Sequence, residues 1–222
     1  MRFINMINKR ALQKQERMAL FIDCTRRLIE EEGFKEISIR KIADRAGLHN
    51  STIYFYFRDA DYLMALASVR SFENYSKELS VISTIDGSNY DVFYPIWECF
   101  CRYTFAQPEL FYQFFFGKYK DSITEILNQY YSLFPKEKQE YSQIISEMYY
   151  AGNLTDRCLA ILKPLSGLEQ TRVTDRTLPI INTLSIVAFR DILEKKCADP
   201  SIDNDALTKE YLSILHFLVD AG

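Results

Sequence analysis

The chain is short of the residues on which most enzyme and metal chemistry rests. Its 222 residues include two histidines, His49 and His216, and one tryptophan, Trp97. Neither histidine has a serine or cysteine nucleophile in a recognisable setting, and no Gly-rich loop is present to cradle a phosphate. No catalytic residue, metal ligand or cofactor is therefore assigned. The five cysteines, Cys24, Cys99, Cys101, Cys158 and Cys197, are odd in number and lack a Cys-x-x-Cys pair. That argues against a disulfide framework and a zinc site, and leaves packing as the expected role with a redox sensor as the lesser alternative. No apolar run approaches the ~18 residues of a membrane span, and no signal-peptide core follows the first residues. A cytoplasmic protein without a membrane partner is the expectation.

Glycine and proline are scarce as well, at seven and six, and their positions are informative. Gly33, Gly47, Gly87, Gly117, Gly152 and Gly167 sit at or near apparent helix ends. Pro108, Pro135, Pro164, Pro179 and Pro200 sit at helix starts or just past stops. Period-two alternation bounded by turn pairs is missing, so the fold class expected is all-α. The spacing predicts a first helix over residues 8–32 and a fourth over 59–80. Residues 1–58 then form a head, 59–80 a linking helix and 81–222 a body, with 83–89 as the boundary. Net charge is −3 overall, yet residues 1–70 hold 13 Lys and Arg against 9 Asp and Glu, and the remainder holds 14 against 21. A basic head on an acidic body suits a protein that presents one end to a polyanion. Residues 1–10 carry only positive charge, as an arm for DNA or as a solvated terminus.

The most specific stretch is 38–62, SIRKIADRAGLHNSTIYFYFRDADY. Ser38 is a good N-cap, and Ile39, Ile42, Ala43 and Ala46 follow at the spacing of one helix face. Gly47 can take the left-handed conformation that ends a helix. A second short helix opens near Asn50 and sets Ile53 and Phe57 on one side, four apart. Small Ala43 lets the two helices approach closely, as a helix-turn-helix requires. The opposite side carries Asn50, Ser51, Thr52, Tyr54 and Tyr56. Spacing alone leaves an ordinary helical hairpin with a polar face as an equal reading.

Glu32-Gly33-Phe34, IRKIADRAGL at 39–48 and STIYFYF at 51–57 resemble the N-terminal signature of the tetracycline-repressor (TetR) family of bacterial transcription regulators. The resemblance covers roughly residues 12–66. It implies a three-helix DNA-binding head joined to a helical-bundle body that binds a ligand and dimerises. It places Arg40 at a base- or phosphate-contacting position, Asn50, Ser51 and Thr52 at the start of the recognition helix, and Tyr54 and Tyr56 on phosphates. Ser38, His49 and Arg58 complete the expected DNA surface. Ala60 replaces a common lysine, and His49-Asn50 replace a frequent Ser-Lys pair, which bears on affinity and operator sequence.

The body opens with a strongly aromatic stretch, 90–119. Phe93, Trp97, Phe100, Tyr103, Phe115 and Tyr149 are the residues expected to line a pocket for a small, largely apolar or aromatic effector; filling the core is the alternative for each. Glu98 and Glu147 would favour a cationic lipophilic ligand, although solvated helix faces explain them equally well. Two terminal stripes, Leu178, Ile181, Leu184, Ser185, Ala188 and Ile192, then Leu207, Tyr211, Ile214, Leu215 and Leu218, either seal the body or pair with a second copy. The resemblance favours the homodimer. The function expected is a repressor released from a palindromic double-stranded operator by its effector. The alternatives are an effector-independent DNA-bound scaffold that recruits a protein, or an activator.

Overall fold

The computed structural model describes the backbone of residues 2–221 and the side chains of residues 9–221. Its α-helices are α1 (Arg2–Glu32), α2 (Ile39–Ala46), α3 (Ala60–Ser71), α4 (Glu73–Ile82), α5 (Asn89–Ala106) and α6 (Pro108–Phe116). They continue with α7 (Ile123–Leu133), α8 (Gln143–Tyr149), α9 (Leu154–Leu162), α10 (Leu178–Ala198) and α11 (Asn204–Val219). Short 3-10 turns fill Phe34–Glu36, Asn50–Phe55, Pro135–Glu137 and Lys163–Leu165. Among the described residues there is no strand, only an isolated antiparallel bridge between Thr171 and Asp220. The all-α class is what the structure has. The chain divides into two compact units: Met1–Ser71 with Ile126–Lys138, and Phe72–Glu125 with Gln139–Gly222.

In the first unit, local capping and a small core set the geometry. Ser38 Oγ accepts from Lys41 N at 3.3 Å to open α2. Gly47 closes the helix at φ 64°, in the left-handed region, with its N–H on the Ala43 and Asp44 carbonyls. Phe21, Ile42, Ala43, Ile53, Phe57, Leu63 and Leu66 are buried together. Phe57 meets Phe21 edge-on at 6.0 Å, so the turn between α2 and the 50–55 helix rests on α1. Near the end of α3, Arg70 pairs with Glu137, whose other oxygen accepts from the Tyr130 hydroxyl at 2.5 Å. This half-buried cluster helps hold Ile126–Lys138 in the unit.

The second unit is built around stacked and edge-on rings. Phe189 lies 4.9 Å from Phe100 and 5.2 Å from Tyr211, and Trp97 lies 5.2 Å from Tyr211. Phe100 also meets Phe115 edge-on at 5.2 Å. Ser88 starts α5 by donating its backbone N–H and its hydroxyl to Asp91, at 2.7 and 2.8 Å. These bonds, the backbone one first, hold the Asp91 carboxyl below its ordinary value. At the other end of the unit, Asp220 accepts from the Tyr90 hydroxyl at 3.0 Å, from Tyr94, and pairs with His216 at 2.7 Å. Arg172 N donates to the Val219 carbonyl at 2.8 Å and Ala221 N to that of Gln170 at 2.9 Å. The C-terminal segment is thus stitched to the loop before α10.

Several elements depart from the sequence reading. The single helix expected over 59–80 is two, because Phe72 leaves the helical region at φ −86° and ψ 6°. Neither glycine nor proline marks that break; the Phe72 ring is instead seated 4.5 Å from Phe111 and 4.8 Å from Phe114. Helix α1 begins at Arg2 rather than near residue 8, while the side chains of residues 1–8 lie outside the described ones. Pro95 sits inside α5, which continues to Ala106. Irregular backbone at 138–142 precedes α8. The sequence reading names no helix over 154–162, although Asn153 caps α9 by accepting from Asp156 N at 2.8 Å.

Two stability outcomes follow from this packing. Phe189→Ala removes a ring that is fully buried and is expected to destabilise by ~3–5 kcal/mol, read by chemical denaturation. For Asp220, burial pushes the carboxyl up, but hydrogen bonds from Tyr94, His216 and Tyr90 prevail and leave it lower than usual. A depressed carboxyl stabilises the fold above its unfolded value of ~3.9 and loses that contribution as pH falls through the folded value. The melting temperature of Asp220→Asn is therefore expected below that of the natural chain above about pH 5, with the gap closing below about pH 4.

Candidate functional site

The head presents a short polar helix in a fixed frame. His49 caps the 50–55 turn, its Nδ1 accepting from Ser51 N at 3.3 Å and lying 2.7 Å from Ser51 Oγ. Ile53 and Phe57 are buried beneath it, which forces Asn50, Ser51 and Tyr54 outward, with Thr52 and Tyr56 half-buried. Ser38, although exposed, is occupied in capping α2. Arg58 is exposed and lies 4.9 Å over the Tyr62 ring. Ala60 begins α3, where Asp59 caps by accepting from Tyr62 N at 2.9 Å.

Electrostatics sort the cations of the head. Lys41 bonds to Glu32 at 2.7 Å, and Arg45 grips Glu31 through both of its terminal nitrogens. The hydrogen bond from Arg45 holds the Glu31 carboxyl low. These two cations are already paired across α1 and α2. Arg40 keeps only a long 3.8 Å approach to Asp44. On α1, Lys9, Arg10, Lys14 and Arg17 are exposed and make no salt bridge among the described residues. Arg10, Lys14 and Arg17 line an open groove with Phe55 and Tyr56. Sequence reading missed this basic face, because only the packing of α1 brings it beside the 50–55 helix. It also missed Phe55, which is 78% exposed between Tyr54 and Tyr56. An apolar residue two positions from both Ile53 and Phe57, hence off their shared face, was the available signal.

In the second unit a small internal space of about 20 Å³ is lined by Tyr75, Ile96, Trp97, Phe100, Met148, Leu154, Arg157, Cys158 and Ile161. Trp97 and Phe100 stand among the residues expected there. Phe115 and Tyr149 pack one layer away, each with the Arg157 guanidinium 5.3 Å above its ring. Phe93 is buried against Tyr94 at 5.1 Å. Tyr103 is half-buried and donates its hydroxyl to Glu78 at 3.0 Å, away from the space. Glu98 and Glu147 are both exposed, and Gln143 donates to Glu147 at 2.9 Å. Neither acid lines the space, so the cationic-ligand expectation loses its support. The buried charge is a cation instead: Arg157, only 4% exposed, on α9. The Tyr75 hydroxyl accepts from Arg157, and burial pushes its phenol above the ordinary range against the pull of that cation. Burial likewise raises the Cys99, Cys101 and Cys158 thiols, Cys158 through burial alone, which favours the packing role over redox sensing. Among the described residues no cluster of His, Cys, Asp and Glu could hold a metal ion.

The two terminal stripes lie mostly inward. Ile181, Ser185, Ile192, Leu207, Tyr211 and Leu215 are buried within this one chain. Leu178, Ala188, Ile214 and Leu218 are half-buried, and Leu184 is exposed. The apolar surface left open is Ile180, Leu184 and Val187 on α10 and Phe217 on α11. Periodicity finds a stripe, but on a helix with two apolar sides it does not say which side its own chain covers.

A model for bacterial regulatory proteins of the tetR family matches residues 21–65. No curated protein matches the chain. Among solved structures it is similar to FadR of Thermus thermophilus, a TetR family transcriptional repressor solved with lauroyl-CoA. Identity there is 14%, over 89% of this chain and 92% of that one, with a TM-score of 0.56. SmeT, the repressor of the Stenotrophomonas maltophilia multidrug efflux pump SmeDEF, is also 14% identical over 92% and 90%, with a TM-score of 0.53. A SmeT–triclosan complex is similar at 17% identity over 93% and 92%, with a TM-score of 0.51. Residues 21–65, with their capped helix-turn-helix, thus match the head of tetR-family regulatory proteins, and the chain as a whole shares the all-α fold of these solved repressors.

Proposed function

We propose that this protein is a homodimeric repressor that grips a palindromic operator and leaves it when a small, largely apolar effector enters the second unit. The observation that carries the reading is the 50–55 helix, whose Asn50, Ser51 and Tyr54 face solvent while Ile53 and Phe57 anchor it from below. Asn50, Ser51 and Thr52 read base edges, with Arg40, Tyr54, Tyr56, Arg58 and the α1 cations on phosphates. Phe55 meets a thymine methyl or a sugar, which explains a phenyl ring left in water. Ile180, Leu184 and Val187 fall at helical spacing on one open side of α10, and Phe217 is 72% exposed on α11. That surface supports pairing with a second copy, which would set two recognition helices about one DNA turn (~34–36 Å) or a multiple apart.

The effector half is supported by the lauroyl-CoA of FadR and the triclosan of SmeT, both bound by proteins of this fold. Tyr75 lines the internal space from α4, three residues after the chain bends at Phe72 on leaving α3. A ligand that displaces Tyr75 would act on that bend, and its effect on DNA affinity can be no larger than its preference for one conformation, typically ~1–3 kcal/mol. The small volume of the space favours a second reading, an effector-independent scaffold, and the two are separated by experiment.

Selection of the purified protein against random duplexes is expected to enrich a palindrome. Without a consensus, sequence-specific repression fails. On the selected operator, Asn50→Ala is expected to relax base preference by ~1–3 kcal/mol at one position in each half-site. Lys14→Ala and Arg17→Ala are expected to weaken all sequences alike and to flatten the slope of log affinity against log salt by ~0.9 per lost contact. An unchanged slope removes α1 from the interface.

A further inference from the structure

Arg157 is a buried cation without an acid. Its Nη1 donates to the Tyr149 carbonyl at 2.5 Å and its Nη2 to the Tyr75 hydroxyl at 3.0 Å. The rings of Phe115 and Tyr149 each lie 5.3 Å from the guanidinium carbon. No salt bridge to Arg157 exists among the described residues. Arginine stays protonated in proteins, and buried arginines are almost always paired. Neutral acceptors and ring faces hold such a charge but do not neutralise it.

The rest of the space has the same bias. Trp97 Nε1 is buried and has no hydrogen-bond partner among the described residues, while the Trp97 side chain lines the space. Ile96, Leu154 and Ile161 are apolar, and no carboxylate lines it. Two donor-bearing side chains, Arg157 and Trp97, thus line an apolar interior that supplies no anion. The present volume, about 20 Å³, has room for one water-sized group. A larger ligand must therefore displace side chains, and Met148, unbranched and easily repacked, stands at the wall.

Resting on the effector reading above, we propose that the effector is a hydrophobic carboxylate, its acid group bound by Arg157 and reached by the Trp97 indole N–H. The planar fork of a guanidinium matches the two oxygens of a carboxylate, and in a dry site the pair is strong. The hydrocarbon part of the ligand takes the place of apolar side chains such as Met148. An amine of the same skeleton would set two cations against each other, and an amide or alcohol would leave Arg157 uncompensated.

Trp97 is the single tryptophan of the chain, so its fluorescence reports directly on the space. The full-length protein is titrated with a panel of alkyl and arylalkyl carboxylic acids, each beside its primary amide and its amine. At least one acid is expected to bind about tenfold or more tighter than its amide, which is about 1.4 kcal/mol, with the amine weakest. Arg157→Gln, checked for its fold by circular dichroism, is expected to bind acid and amide alike; Arg157→Lys should keep part of the preference. Equal binding of acid and amide by the natural protein overturns the proposal, whatever the variants do. So does the absence of binding by every acid, or a folded Arg157→Gln variant that keeps the preference. Operator binding measured in the same samples separates the two readings. Acids that bind through Arg157 without releasing DNA sink the repressor-release reading alone; release by neutral ligands, with no preference for acids, sinks this one.

Discussion

Ring-on-ring packing about Phe100 and Phe189 is the constraint on which the second unit depends. Tyr75 from α4, Trp97 and Phe100 from α5, Phe111 and Phe115 from α6, Phe189 from α10 and Tyr211 from α11 all meet there. Aromatic rings are large and rigid, and edge-on or offset contacts between them are directional. Helices of different chain position are thereby fixed against one another without a disulfide or a metal. The same rings also explain why so little free volume remains. Large flat groups fill space well when they interlock, and the gap beside Trp97 is what their shapes leave over.

A charge in such an interior is the exception that gives the unit chemical character. Arg157 could have been an aliphatic residue at no evident loss of packing, since replacing a buried ion by a well-fitting apolar group is often neutral or stabilising. It is held by neutral acceptors and two ring faces instead. Sites that depart from the most stable choice are where function is expected to reside. The position of Tyr75 adds to this, because it both accepts from Arg157 and lies on α4, just beyond the bend at Phe72. A group bound at Arg157 would touch a residue four positions beyond the end of α3.

The first unit solves a different problem. Its exposed 50–55 helix is only six residues long, too short to hold itself together. Its order comes from Ile53 and Phe57 below, the His49 cap in front and the Gly47 turn behind. Pairing of Lys41 and Arg45 with acids of α1 secures α2 and withdraws those two cations from the surface. Among the cations left at the surface are Arg40 and the Lys9, Arg10, Lys14 and Arg17 group of α1. The charge left at the surface is therefore a selection from the basic composition, made by the packing.

Much of the head was legible in the sequence, because its signals are local. Ser38, Gly47 and the Ile42, Ala43, Ile53, Phe57 spacing each act within a turn or two, and they specify capping and burial directly. The all-α class was legible for the same reason, from the placement of glycine and proline and from missing alternation. What only the tertiary structure decided is long-range. Nothing local marks the break at Phe72, which arises where its ring is seated against Phe111 and Phe114. Periodicity gave α10 and α11 apolar stripes but not which of them the chain itself covers, so Leu184 is open while Ile181 and Tyr211 are not. The caps and spacing of α9 were present in the sequence, yet the meaning of Arg157 was not. A lone arginine on a helix reads as a solvated charge until the fold wraps Tyr75, Phe115 and Tyr149 around it, because burial and pairing are properties of the packed chain.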